Sequence, residues 1–495
     1  MPQTSRLSTA LARLFESGPL AASALCFALW AVTPLSWAAV VLYWSGAASI
    51  GRVAVVYAHL EAAMSLYLRW LARELTPLAV PRPFDREAMD RLFRRTLAVG
   101  LSDRSDALEH NDPLAVDFRG QMSRWFLGAD WPDLRRDDVL EFLAWSLCGG
   151  ADLERLRARS DAEAKRMLGF LDDALAQVER RGAFRIPPGR ASPPARPIRL
   201  DLDPVIIASR PLLLYAAING LRWWAMREAG RLGFRHERHD GIEYLLRVPR
   251  GWQPSPTSRR PIVFLHGLGV GLPQYLSVLS ALAELSDRPS LVLLQPWSSF
   301  QIAHPRYLRP PGPSEATVAI RSALRRHDLD STQVDVLSHS YGTAVHSWLI
   351  KAHPDFIARS CFVDPIVFCG GEPDVPFNFL HRKPRSGIER LTRYMVATEL
   401  GHANLIGRRF DWTANVLWAE DVPSFGDPSR VAVVLSADDA IVPVSRVKRY
   451  LRDASMRTWT AAGGGLLVAA YTAHGQSLMS RSPTLEPIFA WLARG

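Results

Sequence analysis

Three short strings carry the residue types of nucleophilic catalysis: Ser338-His339-Ser340-Tyr341-Gly342, Ser436-Ala437-Asp438-Asp439-Ala440 and His474-Gly475. A serine hydroxyl is a weak nucleophile until an imidazole takes its proton, and a carboxylate behind that imidazole fixes its tautomer and steadies its cation. Ser340, His474 and Asp439 supply these three groups. Asp438, the neighbour of Asp439, and Asp364, at the end of another expected strand, stay open as the acid. Ser338 and Gly342 are small enough for a sharp turn that would lift the Ser340 hydroxyl clear of the backbone. That turn would also aim the Tyr341 amide at a developing oxyanion. The glycines of His266-Gly267-Leu268-Gly269 would let the Leu268 amide approach the same point. His266 reads as structural, and His339, His346, His353 and His402 as packing or surface residues. No ligand cluster suggests a metal, and this chemistry needs no organic cofactor.

These residues meet only if the chain between them folds in a particular way. Short apolar runs at Pro261–Leu265, Leu291–Gln295, Val334–Leu337, Ser360–Val363, Val431–Leu435 and Leu466–Tyr471 predict strands, with helical stretches between most of them. Continuous strands separated by helices imply an α/β fold with a parallel sheet covered on both faces. Ahead of them, Leu232–His239 and Ile242–Val248 flank Asp240-Gly241, a hairpin signal. Ser340 then follows one strand and precedes an apolar helix, Thr343–Ala352, while Asp439 and His474 each follow a later strand. The chain order is Ser, Asp, His. From about 366 to 428 the alternation stops and aromatics gather, among them Phe368, Phe377, Phe379, Phe410, Trp412 and Trp418. If this insertion lies over the site, its aromatic walls would suit an apolar acyl chain.

On the His266-Gly267 loop, the Ser340 turn, Asp439 ahead of Ile441-Val442-Pro443, and His474-Gly475, the chain resembles the α/β-hydrolase superfamily. Within it, the sequence resembles membrane-anchored lipase- and esterase-like proteins found in fungi and related eukaryotes. That likeness rests on Asp364-Pro365, Pro373-Asp374-Val375, Phe377-Asn378-Phe379-Leu380, Phe410-Asp411-Trp412, Asn415 and Leu417-Trp418. The resemblance implies a mostly parallel sheet with helices on both faces and a helical lid, a triad of Ser340, Asp439 and His474, and hydrolysis of a carboxylic ester. That the ester is lipid-like is an expectation from the aromatic residues of the insertion and the apolar N-terminal segment. Ser338 departs from the pattern, which more often has glycine there. An acyltransferase using the same acyl-enzyme is one alternative. A catalytically silent membrane scaffold with the same fold is the other.

The N-terminal half has a different character. No side chain from Ser17 to Ile50 is charged, and Leu20–Trp44 is long enough to cross a bilayer as a helix. Trp37, Tyr43 and Trp44 gather toward one end, as interfacial aromatics do. Pro34 would kink a spanning helix or turn a hairpin. A membrane anchor over about 18–50 is the favoured reading, against a cleaved signal peptide and a buried helical hairpin. The flanking charges, Arg6, Arg13 and Glu16 before and Arg52 after, leave the orientation open. Val53–Leu71 is apolar but carries Glu61 and Arg69, the pattern of an amphipathic helix. Helical spacing follows at Arg86–Leu97, Asp137–Leu147 and Ala151–Arg180. Ile186–Pro197 reads as a linker or wrapped loop, and Leu212–Met226 as an apolar helix. The chain thus divides into a membrane-anchoring region (1–82), a helical region (83–230) and a hydrolase domain (231–495).

The net charge is +10, but its arginines are scattered, and Lys165, Lys351, Lys383 and Lys448 are its only lysines. No binding motif accompanies the charge, so nucleic acid is not an expected partner. The expected partners are a lipid bilayer and a small apolar ester. Cys26, Cys148, Cys361 and Cys369 show neither zinc-finger spacing nor a disulfide framework, although Cys361 and Cys369 are close enough in sequence to bridge. No asparagine lies in a glycosylation sequon, which fits a catalytic domain facing the cytosol.

Overall fold

A computed structural model describes residues 19–75, 84–101, 108–255, 258–480 and 482–495. The charges expected to flank the apolar segment on its N-terminal side, Arg6, Arg13 and Glu16, lie outside the described residues.

The apolar runs are strands of one sheet. β1 (Arg235–His239), β2 (Ile242–Arg247), β3 (Ile262–Leu265), β4 (Ser290–Leu294), β5 (Val334–His339), β6 (Ile357–Val363), β7 (Val431–Ser436) and β8 (Gly465–Ala469) lie in the order β1-β2-β4-β3-β5-β6-β7-β8. β2 runs antiparallel to β1 and β4, and all other neighbours are parallel. Asp240 and Gly241 turn the hairpin with φ of 46° and 74°, the paired positive values that a two-residue turn matching strand twist requires. Along the central strands, side chains alternate between two cores. Val263, Leu265, Val336, Val433 and Leu435 face one, and Ile262, Phe264, Leu337, Val363 and Val434 the other. All are fully buried, each contributing about 1.5–3 kcal/mol by leaving water. This strand order, with its antiparallel second strand, is that of the α/β-hydrolase fold.

At the N-terminal edge of β5, buried Asp335 receives three arginines. Arg260 Nε lies 3.0 Å from Oδ1, and Arg288 Nη2 and Arg359 Nη1 lie 2.7 and 3.3 Å from Oδ2. The same guanidinium groups of Arg288 and Arg359 donate to the Leu492 and Trp491 carbonyls of the last helix, Leu485–Ala493. The site described below lies at the opposite end of this strand.

Helices α1 (Pro19–Trp44) and α2 (Arg52–Ala72) pack against each other. Pro34 sits inside α1, and the chain reverses later, between Trp44 and Arg52. Their burial is the inverse of a water-facing helix pair. In α1, Ala22, Thr33 and Ser36 are buried while Leu25, Phe27, Trp30 and Leu35 are exposed. In α2, Ala58, Glu61 and Ser65 are buried while Val56, Leu60, Leu66 and Trp70 are exposed. Glu61 does not serve a polar outer face. Its carboxylate accepts from Thr33 Oγ1 at 2.7 Å, Tyr57 OH at 3.1 Å and the Leu212 amide at 2.7 Å. Leu212 opens the later apolar helix Leu212–Arg231, so Glu61 caps that N-terminus, where a negative charge is favoured.

The helical region has its own core around Trp125, Phe126, Leu143, Trp145, Phe170 and Leu171. The stretch Ala151–Arg180 is two helices, Leu153–Ala158 and Ala162–Gly182. Asp161 accepts from the Ala164 amide and starts the second, and a capping aspartate beats continuation through Arg159-Ser160. Pro113–Trp125 is a further helix of this region, opened by Asp112 and a first-turn proline. Ile186–Pro197 wraps the start of helix Arg136–Leu147, where the Pro187 and Gly189 carbonyls accept from the Arg136 and Asp137 amides. All four cysteines are free thiols, Cys361 and Cys369 included.

Between β6 and β7 the insertion forms short helical segments, among them Gly387–Thr392 and Leu400–Arg408. It touches both halves of the molecule. Trp412 enters the core of the helical region, and Gly387–Thr392 packs against α1.

Candidate active site

β5 ends at His339 and the next helix begins at Gly342, so the chain turns within Ser340 and Tyr341. Ser340 has φ of 50°, a left-handed conformation that a non-glycine residue keeps only when its surroundings hold it there. Its amide donates to the Val363 carbonyl at 3.0 Å, and its carbonyl accepts from the Thr343 amide and hydroxyl. At Gly342 a Cβ would lie 2.1 Å from the Leu265 carbonyl oxygen, so no larger residue fits. Ser338 has room. Its hydroxyl lies 2.9 Å from His346 Nδ1 and donates toward the Cys361 carbonyl, and His346 Nε2 meets Ser360 Oγ at 3.2 Å. A buried polar network therefore occupies the space behind the less usual serine.

His474, in the loop after β8, lies over the turn. Its Nε2 is 2.8 Å from Ser340 Oγ, and its Nδ1 is 2.6 Å from Asp439 Oδ2. A carboxylate only accepts, so it keeps a proton on Nδ1 and leaves Nε2 of the neutral ring to accept from the serine hydroxyl. The other oxygen of Asp439 accepts from the Ile441 and Val442 amides at 2.7 and 2.9 Å, which fixes the carboxylate plane. Burial disfavours the His474 cation, but the charge and hydrogen bond of Asp439, with Asp364 behind, outweigh it and raise the imidazole to about 9.

Of the other two acids, Asp438 is exposed, and its side chain makes no hydrogen bond among the described residues. Asp364 is fully buried and grips backbone, not the ring. It accepts from the Ser436 amide at 2.8 Å, the Ser436 hydroxyl at 3.0 Å and the Gly475 amide at 2.7 Å. Burial raises its carboxyl above the usual range, against the pull of His474. Asp364, Asp439 and His474 offer ligand atoms within 4.8 Å of one another. Those atoms are already engaged with N–H and O–H donors or with each other, so the group is a hydrogen-bond cluster and not a set of open metal ligands.

The amides of Leu268 and Tyr341 make no hydrogen bond among the described residues, and both residues line the cavity over Ser340. Gly267 has another task. Its amide donates to Tyr275 OH at 3.0 Å, and a Cβ there would lie 2.8 Å from Ser340 Cβ. Tyr275 OH also meets His339 Nδ1 at 2.7 Å, joining the glycine loop to the residue before Ser340. His339 is buried and its ring centre lies 5.5 Å from that of His474. Burial first, then the charges of His474 and His266, hold it well below the usual imidazole range. Buried His266 is lowered to about 4 by burial. Nothing in the sequence marks Tyr275 for this part; it is one tyrosine in a short turn, Leu272–Tyr275.

The cavity over Ser340 is walled by Ile366, Val375, Phe379, Ile406 and Phe410 of the insertion. Ser340 itself is 8% exposed, so the insertion covers it. Of the six aromatics singled out in this stretch, only Phe379 and Phe410 face that cavity. Phe368 belongs to the sheet core, Phe377 and Trp412 pack toward the helical region, and Trp418 lies under the Arg95 guanidinium. A second cavity holds His474 and shares Phe379 and Ile441 with the first.

No family model matches the chain, and no curated protein does. Solved structures do. The carboxylesterase CesB from Bacillus subtilis is 11% identical over 56% of this chain and 99% of its own, with a TM-score of 0.34. A putative lipase from Acinetobacter baumannii AYE is 12% identical over 55% and 96%, at 0.36. A thermostable esterase from Pseudomonas putida ECU1011 is 13% identical over 56% and 88%, at 0.34. Likeness at this level says nothing of activity. By its own strand order, and by the loops that carry Ser340, Asp439 and His474, the chain has the α/β-hydrolase fold.

Proposed function

We propose that this protein is a serine hydrolase of carboxylic esters that works at a membrane on lipid-like substrates. The observation that carries the reading is the unbroken hydrogen-bonded run from Asp439 through His474 to Ser340, beside two unpaired amides. His474 takes the Ser340 proton as Oγ attacks the ester carbonyl, and the Leu268 and Tyr341 amides hold the oxyanion. The alcohol leaves with the proton from His474. Water, deprotonated by the same imidazole, then attacks the acyl-enzyme and releases the acid. The apolar walls of the cavity over Ser340 suit the acyl chain.

The membrane part of the reading is supported by the inverted burial of α1 and α2. In water, large apolar side chains turn inward; in hydrocarbon, small and polar residues pack between helices and the large ones face lipid. A fluorophosphonate probe tests the chemistry. It is expected to label the folded wild type and not Ser340→Ala, and a lipid-ester panel then gives the substrate. A folded wild type that labels no better than Ser340→Ala sinks the proposal. Product analysis with an added alcohol separates hydrolysis from acyl transfer. Flotation with vesicles tests the anchor.

A further inference from the structure

We propose that a cationic cleft next to the active site holds the phosphate-bearing head of an amphiphilic ester substrate; the word substrate rests on the hydrolase reading above, the cleft on its own charges. The cleft, an open volume of about 1540 Å³, lies between helix Pro113–Trp125, the insertion segment 374–385 and helix Val444–Asp453. Arg124, Arg382, Lys383, Arg385, Arg446 and Arg449 line it. Only two carboxylates do so, and each already has a cation: Asp374 pairs with Arg124, and Asp117 with Arg446. Arg382 is matched by Glu389 and Arg446 also by Glu372. Lys383, Arg385 and Arg449 have no such partner: their side chains form no hydrogen bond or ion pair among the described residues.

Like charges gathered on one concave surface repel one another and focus a positive potential into it, and an arriving anion relieves both. Guanidinium groups match phosphate oxygens in bidentate geometry. The position of the cleft says which molecule would bring that anion. Asn378 and Arg382 line both the cleft and the His474 cavity, and Phe379 and Ile441 line both the His474 cavity and the one over Ser340. Asn378 Nδ2 donates to the Ile441 carbonyl at 3.0 Å, which fixes the wall between them. Apolar, reactive and cationic spaces thus adjoin in that order. An ester with its acyl chain over Ser340 would extend its alcohol portion past His474 toward the unpaired cations. An amphiphile with one apolar and one phosphate end fits this sequence, and a neutral triester leaves the charges unused.

The test uses the full chain with Ser340→Ala in neutral detergent, so that binding is read without turnover. An ether-linked alkyl glycerol phosphate and the matching alkyl glycerol are titrated by calorimetry. The phosphate compound is expected to bind at least roughly tenfold tighter. Replacing Lys383→Ala, Arg385→Ala and Arg449→Ala together is expected to erase that ratio, leave alkyl glycerol binding unchanged and preserve the melting curve, because all three side chains are exposed and unpaired. Arg449→Glu is expected to reduce the ratio further than Arg449→Ala, and added salt to weaken it. Equal binding of the two ligands, or a ratio that survives the triple substitution, overturns the proposal. So does inorganic phosphate binding as tightly as the alkyl compound, which would mark a free-phosphate site. A triple substitution that changes only flotation on anionic vesicles also overturns it, in favour of a bilayer contact. Failure of Ser340 to label would remove the hydrolase reading and leave these binding results standing on their own.

Discussion

The Gly475 amide donates to Asp364 Oδ2 at 2.7 Å, so the carboxylate that closes β6 grips the backbone one residue beyond the imidazole that faces Ser340. Two buried acids divide the holding of His474 between them. Asp439 sets the ring and Asp364 sets the loop.

That division separates two substitutions. Asp439→Asn, which loses the acceptor for Nδ1–H, is expected to lower kcat on a soluble ester by about 10⁴-fold with the fold intact. Asp364→Asn keeps one acceptor oxygen for three donors. It is expected to cost about 1–3 kcal/mol in urea unfolding and a smaller loss in kcat, roughly tenfold. Equal kinetic losses in the two variants would contradict the assignment of separate tasks.

The pH profile follows from His474. Its folded pKa of about 9 lies above the ordinary value of 6.5. The base works only as neutral imidazole, so kcat/KM is expected to climb with pH and level off near 9. Stability runs the other way: the contribution of the protonated ring is full below about 6.5 and fades as pH rises through 9. Asp439→Asn removes the largest raising influence, so its residual activity should level off at lower pH. A rate profile flat from 6 to 10 would contradict this.

Backbone closeness around Ser340 gives a set of contrasts. Gly342→Ala sets a Cβ 2.1 Å from the Leu265 carbonyl and is expected to destabilise by about 3 kcal/mol or more. Gly267→Ala presses on Ser340 itself, so probe labelling should fall further than the melting temperature does. Ser338→Gly restores the commoner residue yet strips His346 Nδ1 of its partner. It is expected to cost about 1–3 kcal/mol while labelling at Ser340 persists.

At the far end of β5, Asp335→Ala leaves three arginines facing an empty site. Loss of about 3–5 kcal/mol is expected by denaturant unfolding, with undiminished labelling below the new midpoint.

Glu61→Ala removes the shared acceptor of Thr33, Tyr57 and Leu212. With the Leu212 helix uncapped and a hydroxyl left buried, faster tryptic cleavage after Arg69 is expected in detergent, whereas Glu74→Ala, at a more exposed carboxylate, should leave the rate unchanged.

What the sequence made legible was local. Strand runs, the Asp240-Gly241 turn and the small residues around Ser340 each encode their geometry within a few positions, so β1–β8 fall within a few residues of where the apolar pattern puts them. The order Ser, Asp, His pointed to loops that do meet. What stayed hidden depends on segments far apart in the chain. Tyr275 couples Gly267 to His339, Asp364 turns to a backbone amide, and Glu61 points inward because a helix 150 residues later needs a cap. The cationic cleft draws on three separate segments; two of them, 382–385 and Val444–Asp453, are rich in cations, but that they face one concavity depends on the fold. The helix break at Arg159-Ser160-Asp161 was written in a capping residue, which the apolar spacing across it masked.

The contact between α1 and Gly387–Thr392 has a practical consequence for anyone cutting this protein down. A fragment begun after α1, the obvious route to a tractable sample, would leave the wall of the His474 cavity that Ile388 and Thr392 provide without its support. Any reactivity measured on such a fragment should be compared with that of the intact chain before it is credited to the natural protein.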